Sequence, residues 1–206
     1  MLFSLALRVF VPWGMAAVLL SGSAARVGDK VVTIRDVNYF ASLHRLKEKK
    51  WTDPFVPLGA DELKRYTKRV LLEEMCFAEI KSLGFEGPKR KEAVDLVAAL
   101  RGKTRTQWSE FLRFYGRSEE QAVEILFRSL TVDKFLEKKM ETLTPLITED
   151  EITQYLSQTS ANPQESDKET IRQSVSRLLR QERMQKGLEN WLGSLQTKYS
   201  AVTLLP

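Results

Sequence analysis

Two side chains of this 206-residue chain are suited to nucleophilic or metal chemistry, and each occurs once: Cys76 and His44. A reactive thiol needs a basic partner that holds it as thiolate. Cys76 instead lies inside Val70–Ala78, VLLEEMCFA, where it reads as a small buried hydrophobe. With no second cysteine it forms no internal disulfide. His44 follows Phe40 by four residues, beside the apolar face of a helix, and reads as a packed histidine. One histidine and one cysteine leave little room for a zinc site. Glycine-rich phosphate loops and a Ser/His/Asp pattern are absent from the sequence. No catalytic residue, metal ligand or cofactor is expected.

The densest aromatic stretch supplies Trp108, Phe111, Phe114 and Tyr115. Two roles compete for these rings. They fill a core, or part of the set faces a cleft that holds apolar segments of another chain. Met75, Met140 and Met184 read as core.

The elements that must position these side chains are mostly helical. Arg26–Val37, RVGDKVVTIRDV, reads as a strand, a Gly28-Asp29 turn, more strand and a helix start. Thr33 with Asp36 is a capping-box-like pair, and the helix continues over Val37–Lys47 with Val37, Phe40 and Leu43 on one face. Trp51–Leu58 holds two prolines and reads as a loop. Asp61–Leu83 is a long helix, apolar around much of its girth, with Gly84 at C′; it is expected to be the central core helix. Lys89–Leu100 and Gln107–Tyr115 are shorter helices. Ser118 with Gln121 opens a helix running to about Leu143, and Thr148 with Glu151 opens Glu149–Leu156. Residues 159–167, TSANPQESD, read as a flexible linker. Lys168–Lys198 is the last helix, with Ile171, Val175, Leu178, Leu188, Trp191, Leu192 and Leu195 inward, and Ala201–Leu205 has strand character. The fold class expected is mainly α, a multi-helix core with a small β pairing between N-terminal and C-terminal strands. An isolated strand would leave its amides unpaired, so Val27–Val32 and Ala201–Leu205 are expected to pair.

Val9–Leu20 is largely apolar, and Ser23 and Ala25 suit the −3 and −1 positions of signal cleavage. The dozen residues, with Pro12 and Gly14, fall short of the ~20 that span a bilayer. The expected organisation is a signal peptide over 1–25 and one domain over 26–206, divided as 26–158, the linker, and 168–206. Retention of the segment as an anchor is the alternative.

The strand–turn–capped-helix opening resembles that of the SurA-type periplasmic chaperones and their parvulin relatives. Later segments are similar in the same order. They are WSEFLRFYGRSEEQ at Trp108–Gln121, Ile147-Thr148-Glu149-Asp150-Glu151-Ile152, and a terminal piece over Arg172–Leu205 with Glu189-Asn190-Trp191-Leu192. The likeness covers nearly all of Arg26–Leu205. It departs at one place: only nine residues separate Gln158 from Lys168, where a parvulin domain would need about a hundred. The resemblance therefore implies a chaperone core without an isomerase. Such a core is a periplasmic holdase, and its clients are unfolded polypeptides, outer-membrane proteins above all. Trp108, Phe111, Phe114 and Tyr115 are its candidate client-binding residues. The alternative is a dedicated envelope interaction or scaffold subunit, tethered if the N-terminus is uncleaved.

Net charge is +5, with acids interspersed among the bases, so most charge belongs to solvated helix faces. Lys89-Arg90-Lys91 and Arg101–Arg105 are local basic clusters that would favour acidic clients or a membrane surface. A secretion signal argues against nucleic acid as a partner.

Overall fold

The computed structural model describes residues 22–48, 56–104, 106–158 and 168–205. Most of the leader, most of the Trp51–Leu58 loop and the 159–167 linker lie outside the described residues. Within them the fold is mainly α, with seven helices and one three-stranded antiparallel sheet. The strands are β1 (Ser23–Val27), β2 (Lys30–Thr33) and β3 (Ala201–Thr203), ordered β2-β1-β3. The helices are α1 (Ile34–Lys47), α2 (Ala60–Leu83), α3 (Arg90–Thr104), α4 (Thr106–Tyr115), α5 (Glu119–Leu143), α6 (Glu149–Gln158) and α7 (Lys168–Lys198).

The expected pairing of the chain's two ends is present: β1 carries β3 on one side and β2 on the other. Gly28 makes the β1–β2 turn at φ +56°, a left-handed conformation that glycine adopts without steric cost, and its amide donates to Tyr199 O at 2.8 Å. The sheet begins earlier than the sequence suggests. Ser23, Ala24 and Ala25 are strand, with Ala25 opposite both Val32 and Thr203. Leu204 N donates to Ala24 O at 2.9 Å, and Ile34 N donates to Gly22 O at 2.8 Å. Ala24 and Ala25 are fully buried. The cleavage point expected after Ala25 thus falls inside the middle strand. Two small residues suit a peptidase recognition site and also a strand packed closely against a helix.

All three helix starts marked by capping boxes are capped as expected. Thr33 Oγ1 accepts from Asp36 N at 3.1 Å while Asp36 accepts from Thr33 N at 2.9 Å. Ser118 and Gln121 repeat the exchange at 3.2 and 2.9 Å, and Thr148 and Glu151 at 3.4 and 2.8 Å. Each box satisfies two otherwise orphaned backbone donors, worth about 1 kcal/mol.

The core has two clusters, and α1 belongs to both. Val37, Phe40 and Ala41 pack with Ala24, Ala25, Val32, Val70, Cys76, Ile80 and Leu195. Tyr39, Leu43 and Leu46 pack with α3, α4 and α5 through Val97, Leu100, Trp108, Phe111, Tyr115 and Leu126. Eight consecutive α1 residues, Val37 to His44, are buried. The most enclosed helix is therefore α1, not the longer α2 that the sequence marks as central. Its polar members conceal this in the sequence, but Asn38, Ser42 and His44 each have a partner. Asn38 Nδ2 donates to Ile34 O at 2.8 Å and Asn38 Oδ1 accepts from Leu58 N at 2.8 Å, while Ser42 Oγ meets Tyr115 Oη at 3.2 Å.

The final helix is less enclosed than expected. Val175 and Leu195 are buried, but Leu178 is 40% exposed, and Ile171, Leu188, Trp191 and Leu192 are half-buried. Its first half borders α6 through Arg172–Glu149 and Arg183–Glu151 ion pairs. Its second half joins the main body, where Trp191 meets Phe135 with ring centroids 6.1 Å apart and Lys198 pairs with Glu79 at 2.7 Å. One helix meeting a single narrow neighbour over its first half cannot cover all its apolar residues. None of the helices in the described residues is long and apolar enough to cross a membrane.

Candidate functional site

A cavity of about 410 Å³ lies between β2, α1, α2 and α5. Lys30, Val31 and Val32 of β2 form one wall; Asp36, Tyr39 and Phe40 of α1 and Val70, Glu73 and Glu74 of α2 form the floor. Arg117, ahead of α5, and Gln121, Glu124, Ile125 and Arg128 of α5 complete it. The apolar members come from helix faces turned to the core, and the charged ones from the rims of those faces, so the lining is mixed.

Its charges are matched. Glu74 accepts from Lys30 Nζ at 2.7 Å and also pairs with Arg128. Asp36, already fixed by the Thr33 cap, pairs with Arg117. Glu124 accepts from Arg90 Nη1 at 2.9 Å. These pairs tie β2 and α5 to α2, α1 to the residue ahead of α5, and α3 to α5.

Beneath the floor sits a buried polar relay. Ser129 Oγ lies 2.9 and 2.8 Å from the two carboxyl oxygens of Glu73, and 3.1 Å from His44 Nε2. Burial pushes the Glu73 carboxyl up to about 7, against the opposing pull of Ser129, Arg69 and Arg128. Burial pushes His44 down to about 3, with Arg69 and Lys47 acting in the same direction. The imidazole is neutral at pH 7, and with the Ser129 hydroxyl proton donated to Glu73, its contact with Ser129 Oγ is made by the Nε2–H tautomer. A nucleophilic serine is wired the other way, giving its proton to an imidazole that accepts it. Ser129 is fully buried, so no substrate reaches it here. The relay is a satisfied core network.

Sequence reasoning reads His44 as packed, and it is 1% exposed. It misses Glu73 and Ser129. The available signal was a carboxylate in the middle of VLLEEMCFA, since an acid inside an apolar run requires a partner. Cys76 is fully buried, and burial pushes its thiol up to about 12, so it stays protonated.

The aromatic stretch needs correction. Trp108, Phe111 and Tyr115 are at most 2% exposed and form α4's packing surface against α1. Phe111 stacks on Tyr39 at 5.4 Å between centroids, and Trp108 stacks on Phe111 at 5.6 Å. Trp108 Nε1 also donates to Glu119 Oε2 at 3.0 Å. These three rings offer no surface to a client. Phe114 alone is half-buried, edge-on to Tyr115 at 5.0 Å. The four reach the cavity only indirectly, because Phe111 and Tyr115 back the Tyr39 ring that lines it. An α4 face with aromatic residues at i, i+3 and i+7 buries them against a neighbouring helix first.

Arg90 and Arg101 of the basic clusters pair with Glu120, Glu124 and Glu119 of α5. Among the described residues no group of three His, Cys, Asp or Glu side chains is arranged to hold a metal ion. Comparison with protein-family models, curated proteins and solved structures finds no match to this chain.

Proposed function

We propose that the chain is a periplasmic holdase that binds unfolded polypeptides, outer-membrane proteins foremost, and does not catalyse prolyl isomerisation. The observation that carries this reading is the cavity itself: aliphatic and aromatic walls, matched charges, and a position beside an edge strand. Such a lining accepts many apolar side chains and rewards none strongly, which suits a binder that must release its client without nucleotide. The ordered likeness to SurA-type chaperones supports it, as does the nine-residue span where a parvulin domain would sit.

The test mixes the full-length protein with an outer-membrane β-barrel protein diluted from urea and follows light scattering. An unfolded soluble protein serves as the comparison client. Suppression of aggregation at near-stoichiometric amounts is expected, strongest for the barrel protein. Failure with both clients would discard general holding and leave the dedicated envelope subunit, which a pull-down would then have to identify.

A further inference from the structure

Among the described residues, four buried side-chain polar atoms lack a hydrogen-bond partner, and three of them belong to residues lining this one cavity. They are the Tyr39 hydroxyl, Arg117 Nε and Arg128 Nε. Leaving a buried donor unmade costs about 1–3 kcal/mol each, so such a concentration calls for a missing acceptor. One terminal nitrogen of each guanidinium group already serves a carboxylate, Arg117 Nη2 that of Asp36 and Arg128 Nη1 that of Glu74. Surplus donors with no surplus charge select an uncharged acceptor, and a peptide carbonyl is the commonest one. An anion would meet Glu73, Glu74 and Asp36 at close range.

The second observation is the position of β2. It is an edge of the sheet, with β1 on one side and no strand on the other among the described residues. The cavity is walled by β2's own Lys30, Val31 and Val32. From these placements we infer that an extended polypeptide segment adds to β2 as a fourth strand. Its carbonyls accept from Tyr39, Arg117 and Arg128 as these side chains, whose unpartnered donors are closed to solvent in the free chain, turn toward it, and one apolar side chain enters the space between Phe40, Val70 and Ile125. Main-chain pairing supplies affinity that ignores sequence, and the cavity demands only an uncharged side chain at one register. This inference rests on the holdase reading and specifies its client as a chain in β conformation.

The test uses the full-length protein and a fluorescein-labelled, lysine-flanked eight-residue peptide of alternating valine and threonine, read by anisotropy. Saturable binding is expected. N-methylation of the amides along one edge of the peptide should weaken it about tenfold, and methylation of the other edge should leave it near its original value. Ile125→Trp, which fills the cavity from a half-buried position, should also cost about tenfold. Arg117→Lys with Arg128→Lys keeps both positive charges but removes both Nε donors, and should cost about fivefold. Thermal melts identify any variant that fails to fold, in which case the peptide methylation series decides alone. No saturable binding, equal sensitivity to both methylation patterns, or indifference of a folded Ile125→Trp protein would overturn strand addition. Aggregation suppression surviving in folded Ile125→Trp would overturn it too while leaving the holdase reading in place. Edge-selective peptide binding without aggregation suppression would do the reverse.

Discussion

A chain cut to begin at Arg26 is expected to be about 4 kcal/mol less stable than one beginning at Gly22, a loss of about 10 °C in Tm for a domain of this size. The cut removes the half of β1 that pairs Ala25 with Val32 and Thr203, the Ala24 carbonyl that accepts from Leu204, and the Gly22 carbonyl that accepts from Ile34. Each lost hydrogen bond contributes about 1 kcal/mol, and the methyl groups of two fully buried alanines add a similar amount together. Differential scanning calorimetry on the two lengths measures this directly. Equal melting temperatures would mean that residues 22–25 contribute nothing to the fold.

Glu73→Gln is expected to stabilise the protein at pH 8 by about 2–3 kcal/mol and to change it little at pH 4.5. Glu73 is raised from 4.5 to about 7 on folding, so its favourable contribution is complete below pH 4.5 and is lost as pH rises through 7. A shift of that size corresponds to about 3 kcal/mol. His44 has the opposite sign: lowered from 6.5 to about 3, its contribution is complete above pH 6.5 and is lost as pH falls through 3. Between pH 4.5 and 6.5 the two slopes oppose, and the unmodified protein should show a flat stability profile there. Glutamine keeps an oxygen for the Ser129 hydroxyl and removes only the acid. The variant should therefore show the histidine slope alone, with stability climbing as pH rises toward 6.5. Urea denaturation at pH 4.5, 6 and 8 checks both claims, and a variant that tracks the parent at all three would rule out a buried carboxyl raised in this way.

What was legible in the chain was what is local. The boxes at Thr33, Ser118 and Thr148 are readable because both partners lie within three residues, and backbone donors at a helix start have few other options. Gly84 ends α2 in the left-handed conformation for the same kind of reason. The strand pairing of the termini was recoverable by elimination, since unpaired strands have nowhere else to place their amides. The cavity and its relay were not recoverable. Glu73 and Ser129 lie 56 residues apart and His44 and Ser129 lie 85 apart, and no periodicity within one helix reports which residues a neighbouring helix brings to it. The same gap explains Trp108, Phe111 and Tyr115: the spacing that puts aromatics on one face of α4 says nothing about whether that face meets water or α1.

The sharing of α1 between both core clusters has a consequence for cooperativity. Val37 and Phe40 complete one cluster while Tyr39 and Leu43, on the same turns, complete the other. Neither cluster closes without the helix, and the helix cannot leave one without abandoning the second. A protein with two cores would ordinarily lose the weaker one first; here the common helix welds them into one unfolding unit. Native-state hydrogen exchange should accordingly assign the same global opening energy to Ile80 in one cluster and Val97 in the other, and two distinct values would show that the weld does not hold.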